Sequence, residues 1–179
     1  MRSLSVIAIV AGLLTTSCAA EHQAADPPAA AASTVYVPVL RRYLGTPGEN
    51  SFPDRTFTTV YVLDQAFPDA GDPAGKHERG VPIGPDDQRR ITTGLTGVAH
   101  VAFIADRNTV LETRDGCAQV KDGGILITLG PADGDDHEVR VAVYGFVACL
   151  GATWLTYVVR NEPGGGWRVS GTTGSKSIS

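Results

Sequence analysis

The sequence lacks any cluster of lysine and arginine. Its 15 basic residues are scattered among 19 acidic ones, and the formal net charge is −4. A protein that binds nucleic acid needs a basic surface to neutralise phosphates, so no nucleic-acid partner is expected. A mildly acidic surface also disfavours electrostatic adhesion to anionic lipid.

Familiar catalytic and cofactor motifs are missing as well. The chain contains no His-Glu-x-x-His, no Cys-x-x-Cys and no Gly-x-Ser-x-Gly. Three glycines at residues 164–166 follow Pro163, but no helix start lies behind them to complete a phosphate site. The sequence therefore predicts no cofactor and no metal, and it favours a non-catalytic role while leaving enzyme activity uncertain.

Long hydrophobic runs are absent too, and the longest apolar stretch covers residues 4–14. It is too short to span a bilayer, but with Arg2 before it and small residues at 15–17 after it, it has the layout of an export signal. The segment resembles the signal peptides of bacterial lipoproteins, in which an obligatory cysteine follows a small or apolar triplet. Ser17 and Cys18 fit this cleavage motif, whereas an aliphatic residue is usual at the position of Thr15.

The resemblance implies a processed and lipid-anchored protein. Residues 1–17 would be removed, and Cys18 would carry the acyl chains that hold the protein on the extracytoplasmic side of a membrane in the cell envelope. Residues 18–33 are rich in alanine and polar residues, so we expect a disordered tether there. Residues 34–179 form one domain's length of chain. The alternative is a plain secretory signal with an incidental cysteine.

Hydrophobic spacing predicts an α+β domain, namely an antiparallel β meander of about five to six strands with two short helices packed on one face. The helices are expected over residues 35–44 and 84–97. The strands are expected over residues 57–63, 100–105, 124–129, 138–149, 154–160 and 167–170, and a Gly/Ser/Thr tail follows.

The last hairpin, residues 157–170, resembles the closing hairpin of cone-shaped folds of the nuclear-transport-factor-2-like and cystatin-like groups. These folds include both enzymes and inert binding proteins, so the resemblance implies a fold and not a function.

Cys117 and Cys149 remain as a pair outside the cytoplasm, which favours a disulfide. If residues 131 and 137 face each other across a turn, Cys149 lies opposite residue 119, and Cys117 is its diagonal neighbour on the same face. In a competing layout, residues 121–124 form a hairpin turn, and Cys117 faces the middle of strand 125–129. Two buried free thiols are the remaining alternative.

Several polar residues are candidates for chemistry. A zinc or acid–base site could be built from His77, Glu78, His100 and Asp106. Asp64 is open between a catalytic and a capping role. Calcium could be held by Asp133, Asp135 and Asp136. In each case the competing interpretation is ordinary loop and turn chemistry.

Large aromatic residues are concentrated in the C-terminal strands, and they either form the core or face a ligand. They are Tyr144, Phe146, Trp154, Tyr157 and Trp167. Our leading hypothesis is a membrane-anchored lipoprotein with a non-catalytic binding or envelope role, with the membrane (through Cys18) and an envelope protein or small apolar ligand as partners. The alternatives are a small hydrolase-like envelope enzyme with its site on the concave sheet face, and a carrier of small apolar ligands.

Overall fold

A computed structural model describes residues 32–75 and 78–179, so Cys18, most of the predicted tether and His77 lie outside the described residues. The α-helices are α1 (Ala32–Gly45), α2 (Pro47–Asn50) and α3 (Pro85–Gly94). Single 3-10 turns lie at Arg107–Val110 and Lys121–Gly123. The strands are β1 (Thr59–Ala66), β2 (Val81–Pro82), β3 (His100–Ile104), β4 (Leu111–Arg114), β5 (Cys117–Val120), β6 (Ile125–Leu129), β7 (Asp133–Gly134), β8 (Glu138–Ala148), β9 (Gly151–Glu162) and β10 (Gly166–Ile178). None of the helices in this part of the chain is long and apolar enough to cross a membrane.

The strands form one curled sheet with a mostly antiparallel order. The main path runs β10-β9-β8-β6-β1, and β3 pairs with the other side of β1. The short strand β2 pairs antiparallel with the last two residues of β1, where Pro82 lies opposite Gln65. The β4–β5 hairpin joins the sheet through Gln119, which pairs with Ala148 of β8. The predicted α+β class is therefore confirmed.

The predicted pure meander is wrong for the first half of the domain, because β1 runs parallel to both of its neighbours, β3 and β6. Parallel pairing requires a long crossover between strands. Here α3 provides the crossover from β1 to β3, and the β4–β5 hairpin provides the one from β3 to β6. In the second half, β8, β9 and β10 follow each other as antiparallel hairpin partners, as in a meander.

Helix α1 packs across one face of the sheet, which we call the inner face. Its buried apolar residues recur at helical spacing and are Val35, Tyr36, Val39, Leu40 and Tyr43. They share one core cluster with inward residues of the central strands, such as Val60, Ile127 and Val143. The predicted helix over residues 35–44 is thus confirmed, although α1 already includes residues 32–33 of the predicted tether.

Helix α3 begins where its sequence predicts. Gly84 is the N-cap and Pro85 is the first helical residue, which suits the fixed φ of proline. The helix ends at Gly94, three residues before the expected stop, and Ile91 and Leu95 are fully buried beside α1. The two predicted helices therefore lie on the same face of the sheet. Helix α2 is an additional short helix within residues 45–56, whose Gly, Pro, Asn and Ser content predicts a loop.

The C-terminal tail is a strand and not a loop. β10 spans 13 residues, and its pairing with β9 continues past Ser170 to Ile178, opposite Thr153. The long partner strand β9 offers backbone hydrogen-bonding groups along its whole length, so pairing decides the structure of this Gly/Ser/Thr-rich segment against its low strand propensity.

The predicted disulfide is present between Cys117 and Cys149, whose Cα atoms are 5.5 Å apart. The register that suggested it is one residue off at the cysteines, since Gln119 lies opposite Ala148 and not opposite Cys149. The same register fails by four residues in β6, where Thr128 lies opposite Tyr144 and not opposite residue 140. The two-residue strand β7 pairs with the start of β8 and lengthens the connection. The competing layout is wrong too, because β5 pairs with β4 and β8 and not with β6.

Candidate functional site

A cleft of about 350 Å³ opens on the face of the sheet opposite α1, which we call the outer face. Its lining residues come from the sheet, from the segment after β3 and from the loop after β1; they are Leu63, Phe67, Asp69, Ala70, Asp72, Pro73, Gly75, Arg107, Thr128, Tyr144 and Trp154. The cleft lies at the carboxyl ends of the parallel strands β1, β3 and β6. Ligand sites are common at this position in open sheets with parallel strands.

The floor of the cleft is aromatic. Tyr144 of β8 and Trp154 of β9 are direct cross-strand partners, so their side chains stand on the same face. Their ring centroids are 5.0 Å apart, with 26° between the planes. Phe146 lies two residues further along β8, and its ring centroid is 6.4 Å from that of Tyr144. The three rings thus form a continuous apolar surface in which Tyr144 and Trp154 remain partly exposed.

The guanidinium group of Arg107 lies beside this floor. The carboxylate of Asp106 accepts hydrogen bonds from the backbone N–H and the side-chain amide of Asn108, at 2.8 and 2.9 Å, and fixes the turn that follows β3. The turn places the Arg107 guanidinium 5.8 Å from the ring centroid of Phe146. Burial raises the pKa of Tyr144, and the nearby Arg107 partly offsets that effect.

The loop at residues 67–75, which we call the acidic loop, contributes lining residues to the wall of the cleft: Phe67, Asp69, Ala70, Asp72 and Pro73, with Gly75 at its end. Its first residue is tied to the sheet, because the Phe67 N–H donates to the Leu129 carbonyl at 2.7 Å. Successive turns follow, and the Asp72 carboxylate accepts from the Ala74 N–H at 2.8 Å. The loop is thereby folded back over the outer face.

Gly71 allows the acidic loop to approach the sheet closely. A Cβ atom at this position would lie 3.0 Å from both the Ala142 Cβ and the Thr156 Oγ1. The neighbouring Asp69 side chain is partly exposed and has no hydrogen-bond or ion-pair partner within residues 32–75 and 78–179. The wall of the cleft therefore holds a carboxylate that has no partner among these described residues.

The structure separates the five aromatic residues that the sequence singles out. Tyr144 and Trp154 line the cleft and Phe146 lies beside them. Tyr157 is on the inner face, is 0% exposed and donates its hydroxyl to the Glu49 carboxylate at 2.9 Å.

Trp167 also belongs to the inner side, where it packs against the core cluster under α1. Sequence reasoning did not find Arg107, Asp69 or Asp72. The sequence predicts only a long polar loop over residues 66–84, which include the acidic loop.

The structure does not bring the described catalytic candidates together. His100 is the first residue of β3, whereas Asp106 follows the far end of this strand and uses its carboxylate in the turn. Glu78 is exposed, and neither it nor His100 lines the cleft.

Asp64 lies on β1 with its Oδ1 atom buried and without a hydrogen-bond partner in the described chain. Its backbone carbonyl accepts from the Ile83 N–H at 2.8 Å, so it is the main chain of Asp64 and not its carboxylate that holds the β2 segment.

The acidic run before β8 forms a turn. The Asp135 carboxylate accepts from the backbone N–H groups of Glu138 and His137, at 2.9 and 2.8 Å, and these bonds lower its pKa. Asp133 belongs instead to the short strand β7, where its backbone lies opposite Arg140 of β8. Within residues 32–75 and 78–179, no group of three or more His, Cys, Asp or Glu side chains is placed to hold a metal ion.

In comparisons with protein-family models, curated proteins and solved structures, nothing matched this chain. The likeness of the last hairpin to cone-shaped folds stays an expectation from the sequence.

Proposed function

We propose that the protein is a membrane-anchored extracytoplasmic lipoprotein that binds a small ligand in the outer-face cleft without transforming it. One observation carries this proposal: the stacked rings of Tyr144 and Trp154 remain partly exposed at the floor of a cleft whose walls hold charged side chains. Apolar floors with a few convergent polar groups are typical of ligand sites. Aromatic rings supply most of the contact energy in such places.

A non-catalytic role is supported by the separation of the acid–base candidates. Catalysis by a general acid and base requires both groups within hydrogen-bonding reach of one substrate. His100 and Asp106 lie at opposite ends of β3, and neither lines the cleft. Among the described residues, the hydrolase-like alternative would therefore have to use the two carboxylates of the acidic loop, Asp69 and Asp72.

A carrier of purely apolar ligands is less well supported. The inner face of the sheet is filled by α1, so the space beneath the helix is occupied by the protein's own core. The cleft on the other face has three charged side chains in its lining, Asp69, Asp72 and Arg107. Desolvating them against a hydrocarbon chain would be costly.

The anchor would keep the cleft close to a membrane. If Cys18 is lipidated, residues 18–31 fully extended at roughly 3.6 Å per residue span at most about 50 Å before α1 begins. The ligand would then be a component of the envelope or a solute at its surface.

Intact mass spectrometry of the protein from detergent-solubilised membranes tests the anchor. We expect a chain that begins at Cys18 and carries acyl mass, and we expect a Cys18→Ser variant to leave the membrane fraction. A soluble, unmodified chain would contradict the anchor and leave the binding proposal standing.

Fluorescence of single-tryptophan variants tests the binding. The chain has two tryptophans, so Trp167→Phe leaves a reporter in the cleft and Trp154→Phe leaves one outside it. Both variants are titrated with neutral, anionic and cationic ring compounds in turn. At least one compound should change the emission of the first variant and not of the second. No change with any compound would refute ligand binding in the cleft.

A further inference from the structure

We propose that the ligand of the cleft is a neutral carbohydrate ring that packs flat against the indole of Trp154 and is held at its edges by Asp69 and Arg107. This inference rests on the proposed function, because it names the chemical class of the ligand at the same site.

The floor suits the flat face of a sugar. A pyranose ring presents C–H groups on its faces and hydroxyl groups around its rim, so it is apolar and polar in perpendicular directions. Trp154 offers a broad, partly exposed ring that is held in place by stacking on Tyr144 at 5.0 Å between centroids. Both residues belong to central hairpin strands, which makes the floor rigid.

The walls carry charges of opposite sign, and this selects against a charged ligand. A cation drawn to Asp69 and Asp72 would be repelled by Arg107, and an anion drawn to Arg107 would be repelled by the two carboxylates. A neutral ligand avoids both penalties. The cleft therefore favours a molecule that interacts with carboxylate and guanidinium groups at the same time.

Hydroxyl groups meet this requirement because each of them donates and accepts. A sugar hydroxyl can donate to Asp69, which has no partner among the residues that the structure describes, and a second hydroxyl can accept from Arg107. Hydrogen bonds to charged groups are the stronger kind. The hydroxyl of Thr128, on the floor between the walls, offers a further neutral contact.

The size of the cleft limits how much of a glycan enters. Its volume of about 350 Å³ is at the small end of the range for ligand pockets. We therefore assign one ring, or two at most, to the cleft, with the rest of a longer chain in solvent.

The test titrates the Trp167→Phe protein, whose remaining tryptophan is Trp154, with cellobiose and N,N′-diacetylchitobiose. Glucuronate and choline serve as an anionic and a cationic probe. We expect a saturable change in Trp154 emission with at least one neutral disaccharide. Adding Asp69→Asn or Arg107→Gln to this protein should weaken that binding about tenfold. The Trp154→Phe/Trp167→Phe protein has no tryptophan and is measured by calorimetry, where we expect weaker but still detectable binding.

The other outcomes separate the two proposals. Binding of choline or glucuronate with no response to either disaccharide would overturn the carbohydrate inference and keep ligand binding in the cleft. Unchanged disaccharide affinity in both wall variants would also overturn it, since the hydroxyl contacts would then be absent. No response to any of the four probes would overturn both proposals.

Discussion

The indole of Trp154 stacks on the phenol ring of Tyr144 directly across the β8–β9 pair, with ring centroids 5.0 Å apart. The backbone neighbours of these residues, Val143 and Leu155, point to the opposite face and belong to the core under α1. One hairpin thus provides the centre of the core on its inner side and the floor of a cleft on its outer side.

Replacing Trp154 separates these two roles. We expect Trp154→Ala to reduce ligand affinity more than tenfold while it lowers the free energy of unfolding by only about 1–3 kcal/mol, because the ring is partly exposed and outside the main core. Calorimetric titration and urea denaturation measure the two effects. Trp154→Tyr, which keeps a ring on the floor, is the matched control and should retain most of the affinity. If Trp154→Ala bound the ligand as tightly as the wild type, Trp154 would not be part of the binding site.

A methyl group at Gly71 should disturb the acidic loop without unfolding the domain. The added Cβ would lie 3.0 Å from the Ala142 Cβ and from Thr156 Oγ1, so the loop must move outward by a few tenths of an ångström. We expect Gly71→Ala to weaken ligand binding several-fold with a stability loss of about 1 kcal/mol. Gly84→Ala is the control, since a Cβ there meets nothing within 4 Å. Identical affinities for the two variants would show that the position of the loop does not matter.

The disulfide should contribute strongly to stability. Cys117 and Cys149 are 32 residues apart, and closing a loop of that length in the unfolded chain stabilises the folded state by about 3–4 kcal/mol in the chain-entropy estimate. Urea denaturation with and without reductant measures the difference, and the Cys117→Ser/Cys149→Ser double variant should match the reduced protein. A thiol titration of denatured, unreduced mature domain that found two free sulfhydryls would contradict the pairing.

Alkaline pH should destabilise the fold through Tyr36. Burial, reinforced by the nearby Asp87 carboxylate, raises the pKa of Tyr36 from 10.0 to about 12. Because the pKa of Tyr36 is higher in the folded than in the unfolded protein, its protonated hydroxyl contributes about 2–3 kcal/mol to the free energy of unfolding. This contribution is fully present below about pH 10 and is lost as the pH rises through 12. Denaturation midpoints measured from pH 9 to 12, with tyrosinate absorbance as a second signal, check the direction.

Tyr36→Phe provides the control for this titration. The variant loses the hydrogen bond from the hydroxyl to the Gly130 carbonyl, 3.0 Å long, and should be about 1 kcal/mol less stable at neutral pH. Its stability should fall less steeply between pH 10 and 12. If the stability of Tyr36→Phe falls as steeply with pH as that of the wild type, the alkaline effect comes from other tyrosines.

Gly145 is required by the packing of α1 on the sheet. A Cβ at this position would overlap the Tyr43 hydroxyl, which is hydrogen-bonded to the Thr153 Oγ1 in the buried core. We expect Gly145→Ala to displace the Tyr43 ring and cost about 2–4 kcal/mol of unfolding free energy. Gly171→Ala, on β10 with open space around the added atom, should be nearly neutral. Similar denaturation midpoints for the two variants would refute this packing argument.

Local sequence signals predicted the elements well where hydrophobic periodicity was strong. The helix α1, the Gly84–Pro85 start of α3 and the strands β3, β6 and β8 lie within a few residues of their expected bounds. The prediction was wrong for the tail after residue 170, which continues β10, and for the direction of β1 relative to β3 and β6. A period-2 pattern tells which residues face the core, but it does not tell whether a neighbour runs parallel or antiparallel.

The candidate site was predictable only in part for the same reason. Tyr144, Phe146 and Trp154 lie at alternate positions of strands, so their shared face follows from the pairing of β8 with β9. Arg107 and Asp69 belong to segments after β3 and β1, and only the parallel arrangement of these strands brings both segments to one edge of the sheet.

By itself the sequence determined the α+β class, the amphipathic helix, the aromatic strands and the cysteine pair, because each of these depends on residues close together in the chain or on simple chemistry. The tertiary structure decided strand order, register and the two faces of the sheet. These depend on crossovers and backbone pairing between distant segments. Alternation along β9 already puts Tyr157 and Trp154 on opposite faces, and the packing of α1 decided that Tyr157 lies in the core and Trp154 in the cleft.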